Sequence, residues 1–209
     1  MENNSKIPEA VLERLPQYLN YLQEIKDTVP SISATSIAKG LELGDVQVRK
    51  DLAMVSHGGR PKVGYNTEAL IEDISSFLGC NNMTKAVIVG AGKIGRAILD
   101  YEGFTRYGVE ILAAFSHHAN QVIDTATRKP ILPLESFKSF CSENNVQIGI
   151  ITVPVKYAQE VCDMMVSCGI TGIWNFARKT LNVPSNVIVR QEDLAASVAI
   201  LSCKLKGQK

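Results

Sequence analysis

The chain has 209 residues and a formal net charge of +1, and 45% of its residues are hydrophobic while only 6% are aromatic. These values are typical of an ordinary water-soluble α/β protein with one or two domains. No apolar run approaches the roughly 18 residues that a membrane-spanning helix needs. Residues 1–6 are polar where an export signal has an apolar core. We therefore expect a cytoplasmic protein that makes no membrane contact.

The five cysteines are odd in number and show no C-x-x-C spacing, so we expect reduced thiols rather than a disulfide framework. Cys162 and Cys168 are close enough in sequence to form a redox pair. Both fall in an apolar helical segment, however, which favours buried packing.

An amphipathic helix is predicted over residues 8–28, because leucines recur every three or four positions from Leu12 to Leu22. Pro16 interrupts this pattern. We expect either a short first turn before the proline or a helix that begins near it, where proline is tolerated.

Two short helices are predicted next. Ser33 is a candidate N-cap for a helix over residues 34–41, and Gly44 ends that run. Asp45 can cap a second helix that reaches Met54. Two such helices joined by a short turn form a helix-turn-helix pattern.

The second of these helices carries polar side chains that suit DNA. Gln47, Arg49 and Lys50 can reach base edges or phosphates if the helix lies in a major groove. The alternative is a solvated, charged face on an ordinary helical bundle.

Residues 56–65 are rich in glycine and basic side chains and lie between two helical patterns. They look like the β-hairpin wing of a winged helix, with Arg60 and Lys62 placed for contact with phosphates or the minor groove. The alternative is a simple surface loop. A further helix is predicted from Thr67 to Gly79.

A nucleotide-binding motif begins the second half. The β-branched run 87–89 predicts a buried strand, and Gly90, Gly92 and Gly95 then fall as G-x-G-x-x-G before a helical pattern. The first glycine permits a tight turn, the second lets the backbone approach a ligand, and the third lets the helix pack on the strand. The unpaired N–H groups at the start of that helix face a pyrophosphate.

A second strand is predicted over residues 109–115. Dinucleotide sites normally place an acid at its end to bond the adenosine ribose, but this chain has Ser116, His117 and His118 there. The change can favour NADP, weaken NAD binding or leave a neutral bond to the ribose. We expect no metal site, because adjacent histidines on a strand face opposite ways and no further Cys/His cluster accompanies them.

The remaining chain alternates helices and strands, with loops expected over 121–133. The predicted helices are 134–143, 156–167 and 191–205, and the predicted strands are 146–153, a strand ending at 174, and 187–189. The last helix has an apolar side that needs a partner, formed by Leu194, Val198, Ile200 and Leu201.

Two tripeptides follow predicted strands, where open α/β sheets bind ligands: Thr152-Val153-Pro154 and Asn175-Phe176-Ala177. The alternative is ordinary turn chemistry. No nucleophile–base pair or paired carboxylates are recognisable, so we expect a protein that is not an enzyme.

Taken together, these motifs resemble the Rex family of redox-sensing transcriptional repressors nearly end to end. The resemblance rests on Ile7-Pro8, Arg14-Leu15, Gln47-Val-Arg-Lys-Asp-Leu52, Val63-Gly-Tyr-Asn66, Gly90-Ala-Gly92, Ile94-Gly-Arg-Ala97, Thr152-Val-Pro154, Gly169-Ile170, Gly172-Ile173 and Asn175-Phe-Ala177.

The resemblance implies a winged-helix DNA-binding domain over residues 1–82 and a Rossmann NAD(H)-binding domain over 83–209. It implies a homodimer that swaps the C-terminal helix within 191–209. Operator binding would respond to the NADH/NAD+ ratio, with NADH releasing the DNA. Carried over to this sequence, Arg14, Tyr101 and Asp193 would exchange partners when the redox state changes.

Two sets of site residues follow from the motifs and the resemblance together. The expected DNA-binding residues are Ser33, Gln47, Arg49, Lys50, Arg60, Lys62 and Tyr65. The expected cofactor-binding residues are Gly90, Ala91, Gly92, Lys93, Ile94, Gly95, Tyr101, Ser116, His117, Thr152, Val153, Pro154, Asn175, Phe176 and Ala177.

Four departures from the family pattern suggest a divergent paralogue. Ser116 replaces an acid, Lys93 replaces a common Asn, Arg178 replaces a Pro, and Pro61-Lys62 replaces Arg-Gly in the wing. An alternative function is therefore a regulator of the same fold that responds to NADP(H) or another nucleotide. A third hypothesis is a small NAD-dependent oxidoreductase.

Overall fold

The computed structural model describes residues 7–119, 122–123 and 129–207. The chain forms two compact units, Met1–Asn82 and Met83–Lys209. Within the described ranges, no helix is both long enough and apolar enough to cross a membrane.

The first unit consists of helices with one small antiparallel ladder. Its helices are α1 (Glu9–Ile25), α2 (Ala34–Gly40), α3 (Asp45–Val55) and α4 (Thr67–Phe77), and its strands are β1 (Ser31–Ile32) and β2 (Tyr65–Asn66). Helix α1 packs on α4, and α2 packs on α3. The core between them is formed by fully buried side chains, chiefly Leu15, Tyr18, Leu19, Leu22, Ile37, Leu52, Leu70 and Ile74.

Helix α1 runs through Pro16 without a break, so both predicted alternatives, a short first turn and a start near the proline, are wrong. An internal proline removes one backbone hydrogen bond and costs about 3 kcal/mol. Burying one large apolar side chain returns roughly 1.5–3 kcal/mol. The helix buries residues on both sides of the proline, namely Val11, Leu15, Tyr18, Leu19 and Leu22. Core packing therefore outweighs the local penalty.

A hairpin follows α3, as the wing prediction requires. It is closed by a single pair, in which Arg60 N donates to Gly64 O and Gly64 N donates to Arg60 O, each at 2.9 Å. At its tip, Lys62 has φ +65°, a left-handed conformation that is uncommon outside glycine. The helix-turn-helix and this short hairpin together form a winged helix.

The second unit is built on one sheet. In the described residues its strand order is β5-β6-β4-β3-β7-β8-β9, and every pairing is parallel except β5 with β6. The strands are β3 (Thr84–Val89), β4 (Val109–Ser116), β5 (Val122–Ile123), β6 (Pro130–Pro133), β7 (Ile148–Ile151), β8 (Gly172–Asn175) and β9 (Ile188–Gln191). The helices are α5 (Lys93–Asp100), α6 (Phe137–Asn144), α7 (Ala158–Ser167) and α8 (Leu194–Lys206), and the short 3₁₀ helices are Glu102–Tyr107, Leu134–Ser136 and Val155–Tyr157.

Strand β3 lies inside the sheet and is buried on both faces. Val87 and Val89 pack into the core that includes α6 and α7, whereas Ala86 and Ile88 pack into the core that includes α5. The chain passes from β3 to β4 on one side and later adds β7 on the other. This reversal of strand order opens a crevice at the carboxyl ends of the strands, which is where open α/β sheets bind ligands.

The loop predicted over residues 121–133 is wrong at two places, because Val122–Ile123 forms β5 and the last four residues form β6. Pro130–Pro133 forms β6, in which Ile131 is buried and lies opposite Ala114 of β4. Pro130 occupies the first position of the strand, where proline is tolerated, and Pro133 ends the strand. Residues 121 and 124–128 lie outside the described residues.

The final helix begins at Leu194 rather than at residue 191. Asp193 caps it, because its carboxylate accepts from the N–H groups of Ala195 and Ala196 at 3.0 and 3.1 Å. Residues 188–191, before the cap, form β9 instead. No side chain of α8 is buried in the chain itself. Its exposed apolar residues include Leu194, Val198, Leu201 and Leu205, which recur at helical spacing along one side.

The cysteines lie in contrasting environments. Cys141 and Cys162 are buried in the core beneath α6 and α7, whereas Cys203 is exposed on α8. Burial raises the pKa of the Cys141 thiol to about 12 and also raises the pKa of Cys162. None of the five is in a disulfide, and Cys162 packs in the core as predicted.

Candidate nucleotide-binding cleft and nucleic-acid surface

The glycine turn after β3 is pressed against the loop that follows β7. Gly90 has φ +114°, a conformation that L side chains rarely adopt. Thr152 Oγ1 donates to Gly90 O at 2.7 Å, and Thr152 N donates to Val89 O at 3.0 Å. A Cβ on Gly90 would lie 2.8 Å from the Thr152 backbone, and one on Gly95 would overlap Gly90 O. The first and third glycines are thus required by packing.

Gly92 differs from the other two glycines. A Cβ built on it meets no protein atom within 4 Å, so the space beside it is open. Gly92 is the N-cap of α5, and no side chain caps the helix there. The first backbone N–H groups of a helix have no intrahelical partner and carry the positive end of the helix dipole. This open, electropositive position suits a pyrophosphate.

A cleft of about 740 Å³ lies at the carboxyl ends of β3, β4 and β7. It brings together three segments that the sequence singled out, namely 90–92, 116–118 and 152–154. Lys93, Ile94 and Gly95 form the first turn of α5 and do not line it.

Sequence reasoning missed several residues of the cleft. The cleft is also lined by Arg96, Ile131, Leu134, Tyr157, Glu160 and Met164. Arg96 lies just past the glycines, and its Nε donates to Ala91 O at 3.0 Å. The apolar members come from segments without any nucleotide signature, so no local signal identified them.

The end of β4 differs from its predicted geometry. The strand ends at Ser116, and His117 and His118 form an exposed turn beyond it. The prediction that the histidines face opposite sides of a strand is therefore wrong. Ser116 Oγ accepts from His118 N at 3.3 Å. In the described ranges no three side chains are grouped as metal ligands.

Asn175 holds a turn rather than lining the cleft. Its Nδ2 donates to Lys179 O at 2.9 Å and to Gln191 Oε1 at 2.7 Å, and its Oδ1 accepts from Ala177 N at 3.0 Å. Because Asn175 is fully buried, these bonds fix the chain after β8. Phe176 and Ala177 lie outside the cleft lining as well.

Tyr101 follows α5 and is 58% exposed. Its ring meets the edge of Phe104 at 5.1 Å, and Phe104 in turn meets Trp174 at 5.8 Å. Tyr101 does not line the cleft. Arg14 belongs to the first unit, whereas Tyr101 and Asp193 belong to the second, and each has contacts within its own unit.

In the first unit, α2 begins where predicted. Ser33 is its N-cap and accepts from Ser36 N at 3.0 Å. The predicted cap of α3 is wrong, because Gly44 occupies that position and Asp45 is the first helical residue. The Asp45 carboxylate instead accepts from Thr35 Oγ1 at 2.8 Å and from Arg49 Nη2 at 3.1 Å. It links α2 to α3 and holds the side chain of Arg49.

A buried carboxylate joins α1 to α3. Asp51 accepts from Arg14 Nε at 2.7 Å, from Arg14 Nη2 at 3.0 Å and from the Tyr18 hydroxyl at 2.7 Å. Asp51 is 3% exposed and Tyr18 is fully buried. The hydrogen bond to Asp51 raises the pKa of Arg14, and burial raises the pKa of Tyr18 to about 12. The bonds from Arg14 and Tyr18 of α1 to Asp51 of α3 fix the orientation of α3 on α1.

The exposed face of α3 is basic. Arg49 and Lys50 are exposed. With its amide oxygen toward Arg14, Gln47 accepts from Arg14 Nη1 at 3.0 Å and therefore also contacts α1. The hairpin adds Arg60 and Lys62, both exposed, while Tyr65 is half-buried.

Comparison with known proteins covers nearly the whole chain. Residues 6–53 match a family described as the N-terminus of a putative DNA-binding protein, and residues 81–179 match the CoA binding domain family. The redox-sensing transcriptional repressor Rex of Carboxydothermus hydrogenoformans is 39% identical over 96% of this chain and 97% of its own length. Rex of Treponema denticola is 39% identical over 98% of both chains.

Solved structures agree with these relatives. The crystal structure of RSP in complex with β-NAD+ and operator DNA superposes with a TM-score of 0.88 at 30% identity, and it covers 97% of this chain and 94% of that one. The crystal structure of RSP in complex with β-NADH gives a TM-score of 0.86 at 30% identity, and the match spans 97% of this chain and 96% of the RSP chain. RSP itself is described as a Rex-family repressor.

Replacing Asp51 by Ala should destabilise the first unit by about 3 kcal/mol, because the buried Tyr18 hydroxyl and the Arg14 guanidinium both lose their acceptor. Urea unfolding followed by circular dichroism measures this loss. The exposed Asp27 offers a matched control, and Asp27→Ala should stay within about 0.5 kcal/mol of the wild type. Equal stability of the two variants would contradict the role given to Asp51.

The Tyr18 contact also sets a pH dependence. The folded state holds the Tyr18 proton with a pKa of about 12, above the usual tyrosine value of about 10. The raised pKa stabilises the folded state, and this stabilisation is complete below pH 10 and is lost as the pH rises towards 12. The wild-type free energy of unfolding, measured by urea unfolding, should therefore fall across that range. The free energy of unfolding of Tyr18→Phe should fall less steeply.

The two glycine positions should separate folding from binding. Gly95→Ala should cost about 1–3 kcal/mol of stability, since its Cβ overlaps the Gly90 backbone. Gly92→Ala should leave stability unchanged but weaken nucleotide binding at least about tenfold, or about 1.4 kcal/mol. Thermal unfolding and calorimetric titration with NADH measure the two effects. Unchanged NADH affinity in Gly92→Ala would place the pyrophosphate elsewhere.

Proposed function

This chain belongs to the Rex family of redox-sensing transcriptional repressors, and we propose that it represses transcription by binding operator DNA with an affinity set by the NADH/NAD+ ratio. One observation carries the proposal. A single chain that resembles Rex repressors over nearly its full length holds both a nucleotide cleft and a basic helix-turn-helix.

The residues of the cleft fit a dinucleotide. The open side of Gly92 and the positive end of the α5 dipole would hold the pyrophosphate. Ser116 and Thr152 lie at the carboxyl ends of the flanking strands β4 and β7. NADH and NAD+ differ by one hydride and by the positive charge of the oxidised nicotinamide ring. A site can therefore distinguish them by electrostatics and shape.

The first unit supplies the DNA-binding surface. We place α3 in the major groove, with Arg49 and Lys50 on bases or phosphates and with Arg60 and Lys62 of the hairpin on the backbone. Asp45 restrains Arg49 before DNA arrives, which reduces the side-chain entropy that binding must remove.

Redox control needs a ligand that binds two states of the protein unequally. We propose Arg14, Tyr101 and Asp193 as the residues whose partners differ between the states. Asp51 ties Arg14 directly to α3. A change of partner at Arg14 would therefore reach the DNA-reading helix through one side chain.

We propose a homodimer with α8 at its interface. The helix has no buried residue in its own chain and exposes a continuous apolar side. Such a surface is expected to be covered in the working protein. A two-fold dimer would also present two copies of α3 to a palindromic operator.

We further propose that the chain is a regulator and not an enzyme, and that it works in the cytoplasm. A repressor must share a compartment with its DNA, which in bacteria such as those of the relatives is the cytoplasm. The competing hypothesis of a small NAD-dependent oxidoreductase expects hydride turnover and no salt-dependent DNA binding.

Fluorescence anisotropy tests the proposed function on a duplex selected in vitro from random sequence. NADH should weaken binding of the duplex at least about tenfold, which corresponds to a coupling free energy of about 1.4 kcal/mol, within the usual range for allosteric proteins. NAD+ should leave the affinity for the duplex unchanged. Binding that ignores both nucleotides would remove the sensor. Failure to bind any duplex, with NADH oxidised in the presence of a substrate, would favour the oxidoreductase.

Arg49→Ala should lower operator affinity by about 1–3 kcal/mol if Arg49 reads a base. Lys26→Ala is the control, because it removes one positive charge at the end of α1. The same anisotropy assay at several salt concentrations separates base reading from phosphate contact. Equal affinities for the two variants would move the DNA surface away from α3.

Leu201→Glu should shift the protein towards monomer, because it places a charge in the apolar side of α8. Lys206→Glu adds the same side chain near the end of the helix and off that apolar side, so it should leave the dimer intact. Sedimentation equilibrium measures both. A wild type that is monomeric at micromolar concentration would rule out the proposed assembly.

A further inference from the structure

In dinucleotide-binding folds, the end of the second strand, here β4, contacts the adenosine ribose and discriminates between NAD and NADP. Strand β4 pairs in parallel with β3, and its carboxyl end forms one wall of the cleft. An acid at this position bonds the 2′-hydroxyl of NAD and repels the 2′-phosphate of NADP. The charge and the hydrogen-bonding groups at this end of the strand thus influence whether a phosphorylated ribose is admitted.

This wall carries no negative charge in the described residues. Ser116 ends β4, and His117 and His118 follow it on the rim of the cleft. All three side chains can donate hydrogen bonds to an anion. Arg96 lines the same cleft.

Glu160 alone carries a carboxylate among the described residues of the cleft. It belongs to α7, which follows β7, and β7 lies across β3 from β4 in the sheet. The negative charge is therefore held on the opposite side from the ribose position. A phosphate at the end of β4 would meet donors and cations first.

We propose that Ser116, His117 and His118 form a subsite for a 2′-phosphate, so that the cleft accepts NADP(H) as well as NAD(H). This inference rests on the proposed function of the cleft. Hydrogen bonds to a charged phosphate are roughly twice as strong as those between neutral groups. The same three donors consequently favour the phosphorylated ribose over the free hydroxyl.

Calorimetry on the full chain tests the subsite with ADP-ribose and 2′-phospho-ADP-ribose, which differ only in the phosphate and carry no nicotinamide. The wild type should bind the phosphorylated ligand at least as tightly. Ser116→Asp should weaken that ligand at least about tenfold through charge repulsion while ADP-ribose keeps or gains affinity. His117→Ala should also weaken the phosphorylated ligand selectively.

Ser139→Asp is the matched control, since it adds the same charge on the exposed side of α6 outside the cleft. It should change neither affinity. The subsite would be overturned if the wild type preferred ADP-ribose by more than about tenfold, or if Ser116→Asp changed both ligands equally. If neither ligand bound the wild type, the proposed function would fail, and not the subsite alone.

Discussion

The close contact between the Gly90 turn and Thr152 shapes the second unit. Thr152 donates a hydrogen bond to the backbone of the turn after β3. The packing leaves no room for a side chain at position 90 or 95, and both residues are glycine. The contact brings the loop after β7 against the start of α5. The exposed N-terminus of α5 and the side of the cleft formed by the loops after β3 and β7 take their positions from this backbone packing. Any larger residue at Gly90 or Gly95 would push these elements apart.

Local patterns in the sequence predicted most of the fold, because the glycine turn, the strand that precedes it and the helix-turn-helix depend on residues close in the chain. Tertiary packing decided the exceptions. Core burial on both sides of Pro16 keeps α1 continuous, and pairing with β4 makes a strand of Pro130–Pro133. Asp45, the predicted cap of α3, is instead its first helical residue, and its carboxylate accepts from Thr35 of another helix.

The candidate site was predictable only where its residues carry a motif. The apolar wall of the cleft, including Leu134, comes from segments whose sequence signals only a core. Asn175 looked like a ligand residue, yet all of its bonds serve a turn that involves Gln191 of the next strand. The Asp51–Arg14 pair was equally invisible, because the two residues meet only when α1 and α3 pack. Long-range pairing of polar groups is what a single sequence hides.

The burial of Cys141 and Cys162 makes these two thiols unsuited to sensing oxidants directly. Peroxides and disulfides react with the thiolate, which attacks them as a nucleophile, and a raised pKa keeps these two sulfurs protonated at neutral pH. We therefore expect both side chains to react slowly with oxidants that need a thiolate. Under the proposed function, the redox signal enters through the nucleotide in the cleft and not through these two thiols, so the response follows fuel supply and is insulated from oxidative damage at these positions.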